Sequence, residues 1–199
     1  MAITVNNTFN EFLKNTVNLD PDITSKARKS RDNLISNINN FSGNDDFFKT
    51  YNDKTLNYGS FARKTKIREL DDIDIMLCLN ADGRTYEANS FTIYGLQSDK
   101  DNNLCNNYTN ELNSTKVINR FISKLKNLND YKKSEMHKNH EAATLQLKSY
   151  TWNFDIVPCF YTTADFYLIP DGYGGWKKQT HELMLLMYHQ LTKIIMAIY

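Results

Sequence analysis

Two carboxylates one residue apart, Asp72 and Asp74, open an apolar run, and a third, Asp155, sits inside a second one. With one residue between them, Asp72 and Asp74 leave the same face of a β-strand. Ile73-Asp74-Ile75-Met76-Leu77 is apolar enough to be that strand. Asp155 repeats the pattern on the apolar run 154–160. Two adjacent strands can bring all three carboxylates to one edge of a sheet. Packed together they repel one another unless a cation neutralises them. Oxygen ligands with no thiol or imidazole beside them select Mg²⁺ or Mn²⁺.

Gly59-Ser60 precedes the carboxylate pair, separated from it by residues 61–71. Glycine permits a tight bend and a close backbone approach to a ligand. Backbone N–H groups there, at a helix start formed by 61–64, can cradle phosphate oxygens, and the Ser60 hydroxyl can donate to them. Arg63 and Lys64 read equally as charge for a triphosphate or as a solvated helix face. Asp71 adjoins the pair, but alternation sends it to the opposite face. His137 and His140 read as part of a polar loop before a strand, and Trp176, after Gly174-Gly175, as a packing anchor.

The order of these parts resembles the DNA polymerase β-like nucleotidyltransferase superfamily. The segment from Gly59-Ser60-Phe61-Ala62 to Arg68 and the strand Asp72-Ile73-Asp74-Ile75-Met76 narrow it further. So do Phe154-Asp155-Ile156-Val157-Pro158, Tyr167-Leu168-Ile169-Pro170-Asp171-Gly172 and Gly174-Gly175-Trp176. Together they look like the bacterial cGAS/DncV-like nucleotidyltransferases (CD-NTases), which make cyclic oligonucleotides in CBASS anti-phage signalling. The resemblance runs over residues 30–180. It implies an α/β fold: a polymerase β-like palm, a mixed sheet with flanking helices and a long N-terminal helix. It implies transfer of a nucleoside monophosphate from a nucleoside triphosphate to a ribose hydroxyl. Asp72, Asp74 and Asp155 would be catalytic residues and metal ligands for Mg²⁺ or Mn²⁺. Gly59, Ser60 and Lys64 would bind the nucleotide. Two alternatives stay open: a truncated, inactive nucleotide-binding module, and a nucleotidyltransferase that modifies protein or RNA.

A chain of 199 residues holds one domain with a sizeable core. Its formal net charge of +1 gives no global signal for nucleic acid. No stretch reaches the roughly 20 apolar residues of a membrane span. With no signal-peptide core at the N-terminus, a cytoplasmic protein is expected. The cysteines Cys78, Cys105 and Cys159 have no metal-ligand spacing, and Cys78 and Cys159 lie in apolar strands as buried thiols.

Three stretches follow: an N-terminal helical segment over 1–50, the palm over 51–180, and the start of a second helical lobe over 181–199. Residues 7–17 have helical spacing. Asp20-Pro21 restarts a helix, with Asp as N-cap and Pro in the first turn. Its apolar stripe is Ile23, Ala27, Leu34, Ile35 and Ile38. Residues 42–45 break it, and a short helical piece follows around Phe47-Phe48. Strands are expected over 54–58, 72–79, 142–150, 152–161 and 166–169, and a helix over 115–128. Residues 80–113 read as one long polar loop. Residues 183–199 are apolar with helical character. They are expected to cover the core or to pair two chains as a homodimer.

Overall fold

The computed structural model describes residues 4–41 and 47–180. The expected break at 42–45 and the apolar segment 183–199, with the homodimer read from it, lie outside the described residues. Helix α1 (Val5–Phe12) runs into a π-helical turn (Leu13–Val17). Helix α2 (Pro21–Phe41) starts where Asp20 caps it: its Oδ1 accepts from the Asp22 N–H at 2.8 Å and the Ile23 N–H at 3.3 Å. Its stripe faces the core as read, with Ala27, Leu34 and Ile38 fully enclosed and Ile23 and Ile35 partly buried against it.

The chain then enters a sheet. Strand β1 (Leu56–Tyr58) leads into a single helical turn, α3 (Gly59–Ala62), and then β2 (Asp72–Leu79). A small hairpin, β3 (Thr85–Tyr86) and β4 (Ile93–Tyr94), and a short helix α4 (Asp99–Leu104) precede α5 (Ser114–Lys126). The remaining strands are β5 (Glu135–Asn139), β6 (Ala142–Gln146), β7 (Asn153–Tyr161), β8 (Tyr167–Pro170) and β9 (Trp176–Gln179). The main sheet runs β1-β2-β7-β6-β5, with β8 joining β7 and β9 joining β8. Among the described residues only β2 and β7 pair in parallel; the other neighbours are antiparallel. This is the expected mixed α/β sheet with flanking helices.

Strand alternation gives the sheet two different faces. Ile73, Ile75, Leu77 and Leu79 of β2 join Phe154 and Ile156 of β7 and Ala143 and Leu145 of β6 in the main core. The stripe of α2 joins that core, as do Val117, Ile118, Phe121, Ile122 and Leu125 of α5. Each large apolar side chain enclosed there contributes about 1.5–3 kcal/mol. The other face carries the carboxylates at one end and, further along the same strands, a smaller cluster of Met76, Cys78, Val157 and Cys159. All three cysteines are free and buried.

Three expectations need correction. Phe47-Phe48 is not helical. Thr50 bridges to Leu79 in antiparallel fashion, and both rings enter the core, Phe47 against Phe121 and Phe48 against Phe160. The loop expected over 80–113 is organised. Arg84 makes a two-pronged ion pair with Asp101 (2.8 and 2.5 Å), with neither side chain more than 1% exposed. It ties the β3–β4 hairpin to α4. His137 lies on a strand, β5, rather than in a loop. Trp176 anchors the fold as expected, donating its indole N–H to the Leu112 carbonyl at 2.8 Å, but it does so from a strand, β9. Strands β5 and β9 are sheet edges, where polar, lysine-bearing sequences hide the strand period.

Candidate active site

Parallel pairing of β2 with β7 sets Asp74 opposite Asp155, and Asp72 opposite Asn153. Pairs opposite one another share a face, so Asp72, Asp74 and Asp155 all rise from the face away from the main core. The row continues across the sheet. Tyr58 of β1 stands opposite Asp74, Thr144 of β6 opposite Asp155, and His137 of β5 opposite Thr144. Thr144 Oγ1 donates to Asp155 Oδ1 at 2.6 Å.

Gly59 closes the site against β2. Its φ of +73° lies in the left-handed region that favours glycine, and a Cβ there would fall on the Asp74 carboxylate. Ser60 follows in the same helical turn. Ser60 is half-buried, and its hydroxyl makes no hydrogen bond among the described residues. Lys64 is exposed and left-handed, with φ 59°.

A cavity of about 410 Å³ opens over Asp74 and Asp155, lined also by Tyr58, Gly59, Arg63 and, across it, His140. Ser60, Lys64 and Asp72 lie outside its lining. A larger cavity of about 590 Å³ lies between α2 and the loops flanking β5 and β6, with Lys26, Lys29, Lys133 and Lys148 at its walls. It holds none of the three carboxylates, so the smaller cavity is the one placed for their chemistry.

Burial, and then the charges of Asp72 and Asp155, raise the Asp74 carboxyl from its ordinary 3.8 to about 7. Burial also raises Asp72, opposed by Lys66. Tyr58 is pushed upward by burial and by Asp74 and Asp155, so its phenol keeps its proton. Asp71, left out by the alternation argument, is part of the cluster. It precedes the strand, where alternation does not hold, and meets Asp72. The Asp72 side chain and Lys66 hold it down to about 2. Lys66 pairs with Asp71 and, at 2.7 Å, with Asp72.

The donor set fits a hard divalent cation in kind. Three carboxylates share one face, and Asp74 is held up near neutrality by burial first and then by the charges of the other two. Among the described residues no three such side chains are yet gathered around one point. Asp72 is turned to Lys66, whose ammonium supplies the neutralising charge. Lys66 belongs to the basic run Arg63, Lys64, Lys66 and Arg68 that the sequence sets beside the site. Sequence reasoning missed Tyr58 and Thr144, which only the register that sets them in one row with Asp74 and Asp155 could have marked.

No family model matches the chain. It is 43% identical over 188 residues to a Bacillus cereus protein named "Probable cyclic nucleotide synthase", covering 89% of this chain and 56% of that protein. Its fold matches solved structures at low identity. One is the E. coli CdnC:HORMA-deltaN complex, at 16% identity and TM-score 0.54 over 89% of this chain and 47% of that one. Another is E. coli CdnC with ATP, at 16% identity and TM-score 0.52 over 87% and 47%. A third is the Bradyrhizobium diazoefficiens CD-NTase CdnG with GTP, at 13% identity and TM-score 0.56 over 84% and 41%. The chain thus spans just over half the length of the curated relative it matches. It is a sequence homologue of that Bacillus cereus protein and carries the nucleotidyltransferase fold of the CD-NTases.

Proposed function

We propose that this chain carries the catalytic palm of a metal-dependent nucleotidyltransferase. It transfers a nucleoside monophosphate from a nucleoside triphosphate to a ribose hydroxyl and so builds a cyclic oligonucleotide in anti-phage defence. The observation that carries this reading is the register of Asp74 opposite Asp155, on the face that Asp72 shares and beside a glycine pressed against Asp74. The ATP- and GTP-bound structures of similar fold support a triphosphate substrate. A cytoplasmic setting, where such substrates are abundant, follows from the same reading.

Asp72, Asp74 and Asp155 would hold Mg²⁺ or Mn²⁺, with Lys66 giving up Asp72. When bound, the ions neutralise the triphosphate and lower the pKa of the acceptor hydroxyl. The other roles belong to the chain itself. Gly59 lets the backbone lie close to the phosphates, and Ser60 offers an uncommitted hydroxyl to them. Arg63, at the cavity wall, adds positive charge, with Lys64 further out. Asp155 accepts the proton of the attacking hydroxyl. The cavity orients the sugar and excludes water, which supplies much of the rate in such transfers.

A second reading rests on the Lys66–Asp72 ion pair: a nucleotide-binding module whose lysine takes the cation's place. Incubation with each nucleoside triphosphate and Mg²⁺ or Mn²⁺, followed by mass spectrometry, separates the two. A cyclic product that disappears in Asp74→Asn supports the transferase. Triphosphate binding that is indifferent to divalent cation, without turnover, supports the module. Label ending on protein or RNA would redirect the reading to a modifying enzyme.

A further inference from the structure

Among the described residues, Asp155 is the one carboxylate of the three that accepts a hydrogen bond from a hydroxyl on the next strand. Thr144 stands opposite it on β6 and donates to Oδ1 at 2.6 Å. Thr144 is 7% exposed, among few buried polar side chains of the described residues. Its strand neighbours Ala143 and Leu145 point into the main core, while Ala142 lies in the small cluster on the carboxylate face. Packing therefore fixes the Thr144 backbone, and its β-branched side chain has little χ1 freedom. A buried hydroxyl needs a partner, and here the partner is a carboxylate oxygen, which makes the bond charge-assisted.

The consequence falls on Asp155. An aspartate on a strand can swing its carboxylate between staggered rotamers. A donor fixed beside Oδ1 selects one of them and leaves Oδ2 as the oxygen free for a ligand. Asp74 has no matching support. Its other neighbour is Tyr58, whose hydroxyl makes no hydrogen bond among the described residues. The two carboxylates of the register pair therefore differ. Asp155 is held from β6, while Asp74 lies close against Gly59.

We propose that Thr144 is a positioning residue: its hydroxyl presets the Asp155 carboxylate for a divalent cation shared with Asp74. This rests on the metal-binding reading above. Losing a group that orients a metal ligand from behind typically costs about 10–100-fold in metal affinity.

The test is Mn²⁺ binding to the 199-residue chain, read by the electron paramagnetic resonance signal of free Mn²⁺, with no nucleotide present. Thr144→Val keeps the shape and removes the donor, and is expected to weaken Mn²⁺ binding about 10-fold or more. Thr144→Ser returns the hydroxyl and is expected to restore binding to within about 3-fold. Should the valine variant fail to fold, Thr144→Ala makes the same comparison and carries the same expectation. A donor-free variant that binds Mn²⁺ as the parent does, while Asp155→Asn loses it, overturns the positioning role alone. A serine variant as weak as the valine one overturns it too, because packing and not the hydroxyl would then matter. A parent chain that takes no Mn²⁺ at millimolar concentration overturns the metal-binding reading, and this proposal with it.

Discussion

Asp74 and Asp155 stand opposite one another on the parallel strand pair β2–β7, so two carboxylates share one row of one face. Their mutual repulsion is visible in Asp74. Burial first, then the charges of Asp72 and Asp155, raise it to about 7. A site of this kind is electrostatically unfinished. It relaxes by holding a proton, by recruiting an internal cation as Asp72 does with Lys66, or by binding a metal.

The proton on Asp74 makes stability depend on pH. Below about pH 4 the folded and unfolded chains both carry it, and nothing is lost. Between about pH 4 and pH 7 the unfolded chain releases the proton while the folded chain retains it, so stability falls as pH rises through that window. Asp74→Asn removes this term. Without divalent cation, its Tm should match the parent near pH 4 and exceed it above pH 7, by about 2–4 °C for each kcal/mol relieved. Parallel Tm curves across this range, followed by circular dichroism, would show that Asp74 is not strained.

The same proton competes with a cation. Below about pH 7 a metal that binds Asp74 must displace it. Mn²⁺ affinity should therefore rise by up to about tenfold per pH unit toward pH 7 and then level off. Calorimetric titrations at four pH values test this. In Asp74→Asn the slope should be much shallower.

Where the sequence was legible, one physical signal was strong. The stripe on α2, its Asp20 cap, and the apolar runs of β2 and β7 are periodic, and they folded as read. The carboxylates were legible for the same reason, since period 2 puts Asp72 and Asp74 on one face. Register was not legible. Nothing local says that Asp155 aligns with Asp74 rather than Asp72, or that Thr144 lies behind Asp155, because pairing is decided by cores packed from distant segments. The 80–113 stretch hid its order for another reason. Its fixed point is a buried ion pair, Arg84 with Asp101, and two charged residues 17 apart carry no period.

That ion pair gives a stability prediction. Arg84 also lies over the Phe48 ring, 4.7 Å from its centroid, so the pair ties the β3–β4 hairpin to the core. Arg84→Met keeps much of the packing but removes the charge partner of a carboxylate with no exposed surface. The expected loss is about 3–5 kcal/mol in urea unfolding. A loss under about 1 kcal/mol would mean that water reaches Asp101 once the guanidinium is gone.

The contact between Gly59 and Asp74 permits a sharper test. Gly59→Ala imposes two separable costs. One is a left-handed backbone with a Cβ, about 1–2 kcal/mol whatever lies nearby. The other is a collision of that Cβ with the Asp74 carboxylate, which forces the side chain out of the row it shares with Asp155. Only the second depends on Asp74. In the double variant Gly59→Ala/Asp74→Ala the collision disappears and the backbone cost remains. The two single effects should then exceed the double effect by about 1 kcal/mol or more. Urea denaturation of the four proteins measures this coupling. Strict additivity would mean that the chain shifts Gly59 away from β2 at little cost. The glycine would then serve the turn rather than the approach of the backbone to the carboxylate.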